Sequence, residues 1–192
     1  MRRLSVTVVT LMLLLVGCAA GTDDPPDLGG PSRSGDALLA RYDLTGMTAA
    51  QIIDRLDALD TADRPTELMA SVRVDQLQLS DDRGKLALKL PEDRFYLSVA
   101  PYVEGTHECF YHSLTTCTGE LGGEEVSVSI TDDEGRVLAE GDNMLFANGF
   151  TGFWLPRDVR GTVRVAYDGR VGSTEFSTDE DSATCLTTLR LA

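Results

Sequence analysis

The chain has 192 residues, of which 42% are hydrophobic and 25% charged, and its formal net charge is -14. That is the composition of an ordinary globular protein with enough chain for a core: one domain, with room for a small appended one. A chain this acidic has no basic patch to neutralise phosphates, which excludes nucleic acid as a partner; the acidity reads as a solvated surface with a weak attraction for cations.

In chain order, Arg2 and Arg3 precede an apolar run over residues 4–16, too short to span a bilayer and followed by small residues. This pattern predicts an export signal over residues 1–17. The run ends in Leu15-Val16-Gly17-Cys18, which resembles the lipobox of bacterial lipoproteins. The resemblance implies that Cys18 is acylated and becomes the first mature residue. Each methylene buried in lipid would add about 0.8 kcal/mol to membrane attachment. The expected location is therefore outside the cytoplasm, lipid-anchored at the cell membrane and facing the periplasm or extracytoplasmic space. Residues 18–35 are rich in Pro, Gly, Ser and Asp, the composition of a flexible tether.

Residues 36–65 are expected to form a helical N-terminal segment. Residues 37–42 suit a short helical turn. Thr48-Ala49-Ala50-Gln51 has the form of a capping box, and Ile52, Ile53, Leu56 and Leu59 recur at helical spacing, which predicts a helix over 49–59. Residues 66–192 read as strands: 68–79, 85–90, 95–100, 126–131, 137–139, 144–146, 150–155, 162–167, 171–176 and 185–191. Asp132 to Gly135 joins two of them as a hairpin, and Asp168-Gly169 is a type I′ hairpin signal. The fold class expected is α+β: a short helical segment, then a mainly antiparallel β-sandwich-like or barrel-like domain.

The chemistry concentrates in THECFYHSLTTC, residues 106–117. It holds both histidines of the chain, His107 and His112, and two of its four cysteines, Cys109 and Cys117. If Cys18 carries lipid, Cys109, Cys117 and Cys185 remain, an odd number that leaves one thiol unpaired in an oxidising compartment. A metal site and a structural disulfide both fit this window. Thiolate and imidazole suit Cu(I) and zinc. In an extended chain His107 and Cys109 share a face, whereas His112 joins them only if the chain turns near Phe110 or Tyr111. Cys117 has enough chain before it to loop back. Cys185 heads the last predicted strand, which would bring it beside the window; a buried small hydrophobe is the plainer role.

Catalytic signatures are missing. The sequence has no CxxC pair, no GxSxG elbow and no glycine-rich phosphate loop, so a binding protein is expected rather than an enzyme. Phe150, Phe153, Trp154, Tyr96 and Tyr102 read as core.

Six segments together resemble the CueP family of bacterial copper-binding envelope proteins: MASVRVDQLQL, FYLSVAPYV, THECFYHSLTTCTGEL, ITDDEGRVL, NGFTGFWLPR and ATCLTTL. They cover the chain after the tether in the family's order, and the three cysteines have the family's spacing. The resemblance implies copper storage, delivery and resistance, with Cys109, Cys117 and Cys185 as the metal site and two of them able to join as a disulfide. The family's motif also holds His107 and His112, which makes them candidate ligands. The resemblance also implies dimerisation through roughly residues 36–65, and an envelope copper enzyme or thiol-redox protein as a partner. A lipid tether departs from the family's freely diffusing form and favours local buffering or hand-off. Zinc remains a rival for a site of three cysteines and one histidine. Two other readings use the same cysteines: a thiol-disulfide redox protein, and a disulfide-stapled lipoprotein that binds another envelope protein.

Overall fold

The computed structural model describes residues 33–192. The export signal, Cys18 and nearly all of the tether lie outside the described residues.

Helix α1 (Arg33–Arg41) starts ahead of the boundary expected at Asp36, and α2 (Ala49–Asp57) follows a turn. The capping box forms: Thr48 Oγ1 accepts from the Gln51 backbone N–H, and Gln51 Oε1 accepts from the Thr48 backbone N–H at 2.9 Å. Such a cap contributes about 1 kcal/mol. The helix buries Ile52, Ile53 and Leu56, the apolar stripe that its spacing predicts. It stops at Asp57, short of Leu59, and a 3-10 turn over Thr61–Asp63 leads out.

Ten strands follow: β1 (Met69–Val72), β2 (Gln76–Asp81), β3 (Gly84–Lys89), β4 (Arg94–Val99), β5 (Glu125–Asp132), β6 (Val137–Met144), β7 (Thr151–Pro156), β8 (Arg160–Tyr167), β9 (Arg170–Ser177) and β10 (Cys185–Leu186). They form three open sheets, ordered β1-β2-β3, β10-β4-β7 and β6-β5-β8-β9. The architecture is thus α+β and sandwich-like, without closure into a barrel. Between strands the pairing is antiparallel except that β10 runs parallel to β4, with Cys185 opposite Ser98. The single strand expected over 68–79 is two strands, turned at Arg73, whose backbone N–H donates to Gln76 O at 2.8 Å. The last strand is two residues long, with an isolated bridge between Tyr102 and Arg190.

β4 is the wall between two buried clusters, and five of its six residues are buried. Phe95, Leu97 and Val99 face Val128, Ile130, Val163 and Val165 across the sandwich. Tyr96 points the other way, into a cluster with Ile52, Ile53, Leu56 and Leu77. Just past the strand, Ala100 joins Cys117, Phe150 and Cys185 in a small third cluster. α2 is tied to the β10-β4-β7 sheet by two side chains: Tyr96 Oη on β4 donates to Asp57 Oδ2 at 2.6 Å, and Trp154 Nε1 on β7 donates to Asp54 Oδ1 at 3.0 Å.

Tyr96 needs a glycine beneath it. Gly152 pairs with Ser98 on the neighbouring strand, and a Cβ built there would collide with the Tyr96 phenol. Gly152→Ala is therefore expected to displace Tyr96 from Asp57 and to destabilise the fold by about 1–3 kcal/mol, the usual cost of overpacking. Urea denaturation checks this; an unchanged midpoint would count against it.

Candidate metal centre

The window that holds the histidines is pinned at both ends. Before it, the Glu120 carboxylate accepts the backbone N–H groups of Val103, Glu104 and Gly105 through Oε2 at 3.1, 3.0 and 3.0 Å. At its far end the chain runs beside β1: Val72 N–H donates to His112 O at 2.8 Å and Leu114 N–H to Ala70 O at 2.9 Å. Between these anchors the chain bends at Phe110 and Tyr111, the turn that lets His112 point inward. A further turn over residues 114–116 brings Cys117 back, with its N–H on Ser113 O at 3.1 Å. The last strand completes the assembly, because Thr184 and Cys185 both donate backbone N–H groups to Phe110 O, at 2.9 and 3.2 Å.

All five predicted ligands meet here; Cys18 lies outside the described residues. Cys109 and Cys185 are joined as a disulfide with a Cα–Cα separation of 5.7 Å, and Cys117 is a buried free thiol. Cys117 Sγ lies 3.5 Å from Cys109 Sγ, and His112 Nδ1 lies 3.8 Å from Cys185 Sγ. The donor atoms form two overlapping sets, His107–Cys109–Cys117 and His112–Cys117–Cys185, each with all its atoms within 4.8 Å of one another. Donors bound to one ion at roughly 2.0–2.3 Å sit about 4 Å apart, so both sets have the spacing of a metal site once the Cys109–Cys185 disulfide is reduced.

The electrostatics favour thiolate. His112 is fully buried, and its Nε2 lies 2.9 Å from Asp57 Oδ1. The same carboxylate accepts from Tyr96 Oη and, at 2.8 Å, from Asn148 Nδ2. Burial by itself would push the imidazole pKa down, but the hydrogen bond to Asp57 and the neighbouring Cys117 outweigh it and raise it to about 9. Burial likewise pushes the Cys117 thiol up, and His112 and His107 outweigh it, bringing it down to about 7. Ser113 N–H also donates to the Cys117 sulfur, at 3.3 Å. A second buried cation, Arg64, donates through Nη1 to Cys117 O at 2.7 Å. Two buried cations thus stand against one carboxylate, a positive excess beside the sulfurs. Phe150, fully buried, walls the site, with its ring centroid 4.6 Å from that of His112 and 6.2 Å from that of His107.

Sequence reasoning missed Asp57, Arg64 and Asn148. Asp57 had a signal: it falls four residues after Ile53, on the apolar stripe of α2. A carboxylate at a helix C-terminus is disfavoured by the helix dipole, so one that is buried there must have strong partners. Arg64 and Asn148 sit in loops and carry no comparable periodic signal.

A family model described as "Periplasmic copper-binding protein CueP" matches residues 51–190. Among solved structures, the crystal structure of S.CueP superposes with a TM-score of 0.79 at 42% sequence identity, covering 84% of this chain and 99% of that one. A search of curated proteins finds no match.

Proposed function

The chain belongs to the CueP family of periplasmic copper-binding proteins, and we propose that it holds copper as Cu(I) on the thiolates of Cys109, Cys117 and Cys185. The observation that carries this reading is the meeting of three cysteine sulfurs in one small cluster walled by Ala100 and Phe150. The disulfide is the empty, oxidised form of that site. A dithiol reductant frees Cys109 and Cys185 and leaves as its own disulfide. Three soft thiolates then suit Cu(I). His112, held as an imidazolium by Asp57, and Arg64 offset the negative charge that three thiolates and one Cu(I) would concentrate in a buried space. Ligation shields the ion from water and oxygen, which fits sequestration or hand-off to an envelope client better than catalysis.

On this reading the lipobox places Cys18 at the membrane surface, with the tether carrying the metal-binding domain away from it. Dimerisation through residues 36–65 and hand-off to a copper enzyme or thiol-redox protein are parts of the same proposal.

The test is anaerobic titration of the reduced protein with Cu(I). One ion per chain is expected, with all three core thiols protected from a thiol reagent as it binds, and with zinc failing to displace it. Thiols that stay reactive at saturation would overturn the assignment. The disulfide, with the Cys117 sulfur beside it, favours one second reading, thiol-disulfide exchange. Turnover of a disulfide substrate by the metal-free protein would single that out.

A further inference from the structure

The inner end of the three-cysteine site is closed: Cys185 is 2% exposed and Cys117 8%. Copper needs a way in. The one part of the constellation that opens outward is His107 with Cys109, on the wall of a groove of about 320 Å³ that Tyr102, Thr106, Glu108 and Thr187 also line. His107 and the half-buried Cys109 form a compact donor set with buried Cys117, and this set shares two of its three members with the inner site.

We infer that His107, Cys109 and Cys117 form an entry station, from which copper passes inward when Cys185 replaces His107. The inference rests on the three-cysteine reading. Only one bond changes. The Cys185 thiol gives up its proton and its sulfur bonds to the ion as the copper–His107 bond breaks; the freed imidazole takes the proton and returns it to the groove. Copper remains Cu(I) throughout and no electron moves. Cys109 and Cys117, with their sulfurs 3.5 Å apart, hold the ion at every stage, so it is never released to water. Cu(I) tolerates such an exchange because it is stable with two or three soft ligands. Both imidazoles pack against the Phe150 ring, which stays in place while the ion moves inward. The groove wall adds the carboxylate of Glu108, an attraction for the incoming cation.

A double-mutant cycle on the reduced full chain tests this, with Cu(I) affinity read by competition against a chromogenic Cu(I) chelator and uptake read by stopped flow. If His107 serves entry, His107→Ala slows uptake by roughly 10-fold or more, while its cost in equilibrium affinity stays well below the cost the same change has once Cys185 is gone. In a Cys185→Ser background the ion stays at the entry station, and the same His107→Ala change then costs roughly 10–100-fold in affinity, the range seen when a supporting contact of a metal site is removed. Cys185→Ala serves the same comparison should the serine disturb its buried position. Equal effects of His107→Ala in both backgrounds would overturn the entry role: large equal losses would make His107 a resident ligand, and negligible ones a bystander. Failure of the underlying reading shows itself separately, as a Cys185→Ser single variant that binds Cu(I) as tightly as the parent.

Discussion

Cys117→Ser is expected to lower Cu(I) affinity by roughly 100-fold or more, because even the loss of an outer contact costs a metal site 10–100-fold and this change removes a ligand. The substitution isolates binding from folding. Cys117 takes no part in the disulfide, so Cys109–Cys185 forms as before in the oxidised variant. The hydroxyl can still accept from Ser113 N–H, the sulfur's partner at 3.3 Å. What is lost is the soft donor, which oxygen does not replace for Cu(I). Its thiol is also biased toward ionisation, since His112 and His107 overcome its burial and bring it to about 7. In the parent protein, protons therefore compete with copper at this residue below about pH 7, and affinity falls as pH drops through that value. Anaerobic competition against a Cu(I) chelator at pH 6, 7 and 8 reads both effects. An affinity for the variant within about 3-fold of the parent would falsify the role of Cys117 as a ligand.

Asp57→Ala carries the largest expected cost to stability, about 3–5 kcal/mol, the range for breaking a buried charge pair by removing one partner. The carboxylate is fully buried. Its loss strands two donors, His112 Nε2 and Tyr96 Oη, and leaves Asn148 Nδ2 with only its 3.3 Å bond to the residue 57 backbone carbonyl. For a domain of this size that corresponds to a drop in melting temperature on the order of 10 °C. Burial alone would raise the Asp57 pKa, but its bonds to His112, Tyr96 and Asn148 prevail and lower it. A carboxylate whose folded pKa is depressed contributes stability above its unfolded value near ~3.9, and that contribution fades as pH falls through the folded value. Acid unfolding of the parent should show this loss, and Asp57→Ala should show less of it. The variant has a second readout. Without its carboxylate, burial wins at His112 and the imidazole becomes neutral; Cys117 then loses its cation and its pKa rises toward the ordinary thiol value near ~8.5. The pH at which copper affinity begins to fall moves up accordingly. A variant that melts like the parent and keeps its pH profile would contradict the whole Asp57–His112–Cys117 chain.

Much of the fold was legible because its signals are local. Thr48 and Gln51 form the box that their spacing announces. Asp168 and Gly169 both adopt positive φ, 47° and 74°, as a type I′ turn requires. Where the reading failed, the missing information was long-range or the pattern was masked. β6 runs unbroken to Met144 although its middle, Glu140 to Asn143, is polar and mostly exposed; an edge strand solvated on both faces carries no alternation to read. β10 is only two residues long, because what places it is pairing with β4, itself far away in sequence. The site divides the same way. His107, Cys109, His112 and Cys117 could be found because soft ligands crowd one window. Cys185 could be suspected from the cysteine count, and its place in the same cluster depends on the parallel β10–β4 pairing. Asp57 left one trace, a carboxylate on the apolar stripe of α2, whereas Arg64, which also sets the charge around the sulfurs, sits in a loop with no periodic pattern to mark it.

The most direct measurement is the X-ray absorption spectrum of the reduced protein loaded anaerobically with one equivalent of copper. The three-thiolate account predicts a Cu(I) edge and a first shell of three sulfurs, reduced to two in Cys117→Ser. A Cu(II) edge, or a first shell dominated by nitrogen and oxygen, would contradict it.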